Sequence, residues 1–201
     1  MRSIIDLINK FVSTNGHIGI FISGGFDSCL LAELVFREIT KLNLDTDITI
    51  YTVPRYDDSS VHADRICTWL RSRYPNISFN TKLVGDPNEH HSRQVLSGIL
   101  ESIKDPNVKI LLGDTAISEE MLEAAAPVRI ESNDPRIVQP MLGYDKTITI
   151  SMANDLGLLN EISELTHTCT ESPTLRCSIC WQCRERAWAF AKLGLVDKGT
   201  M

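Results

Sequence analysis

Ile18-Gly19-Ile20-Phe21-Ile22-Ser23-Gly24-Gly25-Phe26-Asp27-Ser28 is the stretch that decides the fold of this chain. Apolar residues broken only by Gly19 read as a short buried strand, and Ser-Gly-Gly then turns the chain into a helix. That helix carries Leu30, Leu31, Leu34 and Val35 on one side. Amides of such a turn point outward and the helix start behind them is partially positive, so phosphate is the natural guest. Gly24 and Gly25 let the backbone approach an anion with no Cβ in the way. Ser23 and Ser28 add hydroxyl donors. Asp27, itself an anion, is placed either to cap the helix or to hold a cation against the phosphates. The stretch lacks the lysine that precedes the final Ser/Thr of the kinase and GTPase loop, and it lacks the spaced glycines of the dinucleotide fingerprint.

Outward from this turn, strand and helix patterns alternate. Residues 3 to 12 read as an opening helix, with Ile4, Ile5, Leu7, Ile8, Phe11 and Val12 on a broad apolar face. The helix after the turn runs to about Leu42. A second strand at 47–53 is closed by Pro54, and a helix near 61–74 packs Ile66, Trp69 and Leu70. Weak alternation predicts a third strand over 76–83, helical spacing covers 94–104, and a fourth strand at 108–112 ends at Gly113-Asp114-Thr115. This order predicts an α/β fold, a parallel sheet with helices on both faces. Its ligands would sit at the carboxyl ends of the strands, where Ser23–Ser28, the Pro54–Ser60 loop and Asp114 converge. Beyond Ser118 a helical run, Glu119 to Ala126, stops at Pro127. An extended piece, Ile137 to Met141, leads into a helix begun by Asp145 and ended before Gly157. No linker or repeat divides the chain, which reads as one domain, 1–201, with a metal-binding segment at 166–193.

The chain has 201 residues, 43% of them hydrophobic, enough for one substantial core, and a formal charge of −6. No segment concentrates lysine or arginine, so a small-molecule substrate is expected rather than nucleic acid. Asp6 interrupts the apolar N-terminal run, which is not expected to be a signal peptide. No run reaches membrane-spanning length, and a cytoplasmic location is expected. Asp114 follows a strand at the ligand edge, where it would hold Mg²⁺, bond a ribose hydroxyl, or simply cap a helix. Lys146 stands at a helix start, against the dipole, as a phosphate ligand or as a solvated side chain. Arg55, Arg129 and Arg136 are candidates for an anionic group. Among the histidines, His17 reads as a boundary or core residue. His62 has no assigned role, His90-His91 falls in a loop, and His167 approaches the cysteine tail. Cys29 and Cys67 read as packing residues on helices.

The second strong signal is Cys169-x7-Cys177-x2-Cys180-x2-Cys183. Four thiolates with two-residue gaps suit tetrahedral zinc and leave no open position, which makes the ion structural. An iron–sulfur cluster accepts the same ligand set.

Ser23-Gly24-Gly25-Phe26-Asp27-Ser28 resembles the pyrophosphate loop of the ATP pyrophosphatase, or PP-loop, family. The tail is similar to that of the 7-cyano-7-deazaguanine synthase family within it. It carries Thr166-His167-Thr168-Cys169, the Cys177–Cys183 repeat, Arg186-Ala187-Trp188-Ala189-Phe190 and Gly194-Leu195-Val196-Asp197. The Pro140–Lys146 segment resembles that of family members with a phosphate-binding lysine. The resemblance implies an adenine-nucleotide alpha-hydrolase-like fold and an ATP-dependent carbon–nitrogen ligase of queuosine biosynthesis. It would act on a carboxylated deazaguanine and ammonia, with ATP, Mg²⁺ and Zn²⁺ as cofactors. Ser23, Gly24, Gly25, Phe26, Asp27, Ser28 and Lys146 would bind the nucleotide. Asp27, Asp114 and Lys146 would serve catalysis, and Cys169, Cys177, Cys180 and Cys183 would hold the metal. A homodimer is compatible with the resemblance. Related alternatives are an enzyme that stops at the amide, one acting on another carboxylated base, and a tRNA-modifying sulfur transferase. Two departures stand out. Tyr51-Thr52-Val53-Pro54-Arg55 replaces the family's Tyr-Gly-Gln segment, and Ala124-Ala125-Ala126-Pro127-Val128-Arg129 lacks an acid that would read a guanine-like edge.

Overall fold

A computed structural model describes residues 2–14, 16–55, 57–86, 91–122, 127 and 131–199 of the chain. Strand β1 (His17–Phe21) is buried along nearly its whole length and feeds through the Ser-Gly-Gly turn into α2 (Phe26–Leu42). This helix ends where Asn43 takes the left-handed conformation (φ 51°) and closes its last carbonyls. Before them lies α1 (Arg2–Thr14). After them come β2 (Asp47–Thr52), α3 (Ser59–Arg73), β3 (Asn80–Leu83), α4 (His91–Ser102), β4 (Lys109–Leu111), β5 (Ile137–Val138), α5 (Lys146–Asp155), α6 (Leu159–Leu165) and α7 (Trp181–Lys192).

The strands lie in the order β3-β2-β1-β4-β5, and every pairing is parallel. Alternation along the strands separates two cores. Ile18, Ile20, Ile48 and Ile50 join α1, α2, α3, α5, α6 and α7 on one face. Phe21, Tyr51, Val53, Ile110 and Leu112 form a smaller core on the other, against Ile99 and Ile103. Helices cover both faces, as expected. Chain order reverses at β1, with β2 and β3 on one side and β4 and β5 on the other, so the crevice opens at the carboxyl ends of β1 and β4.

Some boundaries moved for identifiable reasons. The third strand begins only at Asn80, although Ile77 and Phe79, at alternate positions before it, already pack against the first core. The Phe79 ring packs edge-on against Phe36, with centroids 5.3 Å apart. The expected helix after Ser118 is a single 3₁₀ turn, Glu119–Met121, capped by the Ser118 hydroxyl and tied to α7 by Trp188 and Lys192 bonding Glu120. Residues 123–126 of that expected helix, the Val128-Arg129 part of the base segment, and His90 lie outside the described residues. Neither α6 nor α7 was expected as a separate element. Among the described residues, no helix is long and apolar enough to cross a membrane.

Candidate active site

At the crevice the Ser23–Ser28 turn is held from within. Ser28 Oγ accepts from the Ser23 amide (3.2 Å) and lies 3.1 Å from Ser23 Oγ, while Ser23 Oγ accepts from the Gly25 amide (3.4 Å). Gly24 sits at φ +78°, and a Cβ there would lie 2.6 Å from His62 Cβ, so conformation and space both require glycine. Gly113, after β4, lies against the start of α2. A Cβ on it would meet Ser28 Cα at 2.9 Å. Phe26 is buried, edge-on to Phe190 and beneath the Arg186 guanidinium, so its ring belongs to the core and only its main chain belongs to the loop.

Asp27 does not cap α2, whose N-cap is Gly25 without a side-chain bond. Its Oδ2 accepts from Lys146 Nζ and its Oδ1 from Thr149 Oγ1 (2.9 Å). Lys146 is not solvated. It opens α5 one residue after the Asp145 cap, is 3% exposed, and its Nζ also lies 3.4 Å from Glu185 Oε2. One ammonium is thus shared by a loop carboxylate and a carboxylate from α7. Sequence reading missed Thr149 and Glu185. Thr149 stands one helical turn after Lys146, a spacing that points it to the same partner, whereas nothing local marks Glu185.

Asp114 lines the same crevice and accepts from Gln139 Nε2 (2.9 Å). No helix starts beside it, so it is not a cap. Of the candidate arginines, Arg55 lines the crevice and pairs with Asp57 (2.5 Å). Arg136 instead binds Asp134 and the Ile103 carbonyl away from it, and Arg129 is outside the described residues. His17 begins β1 and contacts Thr49, a boundary position. His62 and His167 stack at 4.5 Å beside the loop, and both line the crevice. Burial, with smaller contributions from His62 and Arg176, pulls the His167 pKa down against the bond to the Ser172 carbonyl, which raises it. The whole crevice encloses about 280 Å³.

The four tail cysteines converge, with their sulfurs all within 4.8 Å of one another. Ser178 adopts φ 59°, turning the chain so that the Cys180 amide donates to Cys177 Sγ (3.2 Å). Burial works to raise the Cys177 thiol, but amide bonds from Cys180 and Ile179 outweigh it and hold the pKa down to about 7. Burial and the Cys180 thiol push Cys183 up. Sulfurs this close fit one ion bonded to all four at ~2.3 Å. A cubane cluster would spread them over four irons. Behind the cluster, fully buried Arg186 binds Asp197 through two bonds (2.8 and 2.9 Å) and reaches Thr168 Oγ1 (2.9 Å) and the Ser163 carbonyl (3.0 Å). The Arg-x-x-Ala-Phe and Gly-x-x-Asp signatures therefore form one clamp. Cys29 and Cys67 are buried, and burial raises both thiols, Cys67 to about 11, in keeping with packing roles.

With loop, lysine and cysteine cluster placed, comparison with known proteins is specific. The profile of the family described as queuosine biosynthesis protein QueC matches residues 115–194, the part of the chain that carries Lys146 and the cysteines. A 7-cyano-7-deazaguanine synthase of Nostoc punctiforme is 40% identical over 67 residues, covering 33% of this chain and 29% of the synthase. The aligned stretch therefore spans under a third of that relative. A tRNA sulfurtransferase of Desulfurococcus amylolyticus is 27% identical over 183 residues, covering 81% of this chain and 37% of its own. Among solved structures, U34-tRNA thiolase NcsA from Methanococcus maripaludis with its 4Fe-4S cluster superposes with TM-score 0.52 at 13% identity, covering 96% of this chain and 73% of that one. NAD⁺ synthetase from Burkholderia pseudomallei superposes with TM-score 0.52 at 16% identity, over 80% and 67% of the two chains. These structural likenesses show a shared fold.

Proposed function

We propose that this chain is an ATP-dependent ligase that converts 7-carboxy-7-deazaguanine and ammonia to 7-cyano-7-deazaguanine. One observation carries the reading. A Ser-Gly-Gly-x-Asp-Ser loop at the reversal point of a parallel sheet shares a crevice with a four-cysteine tail that matches the QueC profile. In this reading, loop amides and the Ser23 and Ser28 hydroxyls receive the ATP phosphates, and Lys146 moves from its carboxylate partners toward them. Among the described residues, four carboxylates (Asp27, Asp57, Asp114, Glu185) line the crevice against two permanent cations, Arg55 and Lys146. A nucleotide tetra-anion would enter most readily with a divalent partner, and Asp114 would hold Mg²⁺ in that role.

The substrate carboxylate attacks a phosphorus of ATP, expelling pyrophosphate or ADP, and becomes an acyl adenylate or acyl phosphate. Ammonia adds to its carbon, the activated oxygen departs as AMP or phosphate, and a proton is lost to give the amide. The amide oxygen attacks a second ATP with the same expulsion, and its departure as AMP or phosphate with loss of two protons from nitrogen leaves the nitrile. No covalent enzyme nucleophile is required. The cysteine cluster, closed by four thiolates, suits structural Zn²⁺ that orders the tail rather than an ion that activates water or ammonia.

Incubation of the metal-replete protein with ATP, ammonium and the carboxy-deazaguanine tests this by mass spectrometry. Nitrile supports it, amide alone assigns an enzyme that stops halfway, and absence of substrate-dependent ATP consumption rejects both. The nucleotide product, AMP or ADP, identifies the mode of activation. The longer sulfurtransferase alignment supports a second reading, sulfur transfer to tRNA. Against it stand the two cysteines outside the cluster, both buried with raised thiol pKa values and poorly suited to thiolate chemistry.

A further inference from the structure

Beside the packing of Phe26 against Arg186 and Phe190, two polar links join the cysteine tail to the phosphate loop among the described residues. At the first, the His167 amide donates to the Gly24 carbonyl (2.9 Å), inside the loop and two residues before Cys169. The His167 ring stacks on His62 of α3, whose Cβ fills the space beside Gly24. Each ring sends Nε2 to a backbone carbonyl between Cys169 and Cys177: His167 to Ser172 (2.7 Å) and His62 to Pro173 (2.9 Å). Because carbonyls only accept, both Nε2 atoms carry the proton. Among the described residues, both Nδ1 atoms are buried without a partner. Such unpaired ring nitrogens cost free energy, which persists only where surrounding structure holds the rings in place. At the second place, Glu185, two residues beyond Cys183 on α7, reaches Lys146, and Lys146 reaches Asp27 of the loop.

From these contacts we infer that metal held by the four cysteines and ATP held by the loop are thermodynamically coupled. His62, His167 and Glu185 are the positioning residues that transmit the coupling. The inference presupposes that the crevice binds ATP, as proposed above. A metal-ordered Cys169–Cys177 span fixes the carbonyls that orient both histidines, and His167 in turn fixes the Gly24 carbonyl. Metal at Cys183 likewise fixes the start of α7 and the distance from Glu185 to Lys146. Coupling between binding sites is reciprocal, so ATP must retain metal by the factor with which metal retains ATP. A metal that only stabilised the tail would leave the loop indifferent to it.

The readout is zinc affinity, not turnover. Zinc-replete protein is equilibrated with a competing chromogenic chelator, with and without saturating Mg-ATP, and ATP affinity is measured separately by calorimetry. Wild type should hold zinc roughly tenfold more tightly in the presence of ATP. His62→Ala removes the stacked ring and the Pro173 bond but keeps the Cβ against Gly24. It should keep full zinc content while the ATP effect shrinks toward onefold. Glu185→Gln, which cannot hold the ammonium as a carboxylate does, gives an independent second variant should His62→Ala fail to fold. A zinc affinity in wild type that ignores ATP, in a protein that calorimetry shows to bind ATP, overturns the coupling and leaves the ligase reading standing. An ATP effect undiminished in the folded variants removes these residues as its carriers. Absence of ATP binding in wild type overturns both.

Discussion

At the scale of single residues, Lys146 carries the largest electrostatic stake. It is nearly buried and compensates both Asp27 and Glu185. Lys146→Met would leave buried Glu185 and partly buried Asp27 without their shared cation, at a cost of about 3 kcal/mol. The expected outcome is a protein with lowered Tm and no calorimetric ATP binding. Adding Glu185→Gln to it should restore much of the Tm without restoring ATP, which separates charge balance from phosphate binding. Equal loss in both variants would reduce Lys146 to a fold residue. Ser28→Ala is the milder probe. It removes the hydroxyl that gathers the Ser23 amide and hydroxyl and should weaken ATP roughly tenfold with little change in Tm. Sequence reading could name Asp27 and Lys146 one by one, from a turn and a helix start. It could not name them as a pair, because 119 residues separate them and only the packing of α5 on α2 brings them together.

At the scale of elements, strands and long helices followed directly from apolar spacing, because β1, β2 and α2 are buried where the pattern said they would be. Pattern failed where side chains serve other ends. Ile77 and Phe79 alternate inward as a strand would yet lie before β3, and α7 starts at a cysteine of the cluster rather than at a hydrophobic period. What fastens α7 to the segments around it is the Arg186–Asp197 clamp, joined by Arg176. Burial works to raise the Asp197 pKa, but bonds from Arg186 and Arg176 outweigh it and leave the carboxyl below its usual value. A depressed carboxylate contributes stability above its unfolded pKa, near ~3.9, and loses that contribution as pH falls through the folded value. Asp197→Asn should therefore cost about 3 kcal/mol at neutral pH, where Arg186 is left buried and unpaired. The difference from wild type should close as both are titrated below pH ~4. Urea unfolding followed across pH measures this. A constant gap from neutral to acid would mean that the lost interaction is packing and not charge.

For the molecule as a whole, the crevice and the cysteine cluster are two local signals that the fold brings to one place. Each was legible alone as a pattern, since a Ser-Gly-Gly turn after a strand and a cysteine repeat are written in short stretches of sequence. Their contact was not, because the His167–Gly24 bond spans most of the chain. The acid expected for a guanine-like edge is absent from the Ala124–Arg129 segment. Asp57, Asp114 and Glu185 nevertheless line the crevice from three other parts of the chain. Metal identity is the remaining whole-molecule prediction. Thiolate coordination contributes folding free energy wherever the unfolded chain has no preformed site. Cys177→Ser or Cys180→Ser should therefore lose metal and expose residues 166–193 to hydrogen exchange, while β1, β2 and α2 stay protected. Sulfurs within 4.8 Å of one another suit a single ion. X-ray absorption of the purified protein should then show one zinc with four sulfurs at ~2.3 Å. Iron with sulfide neighbours would replace zinc with a cluster. Fully active protein lacking any metal would remove the tail ion from the account of this fold altogether.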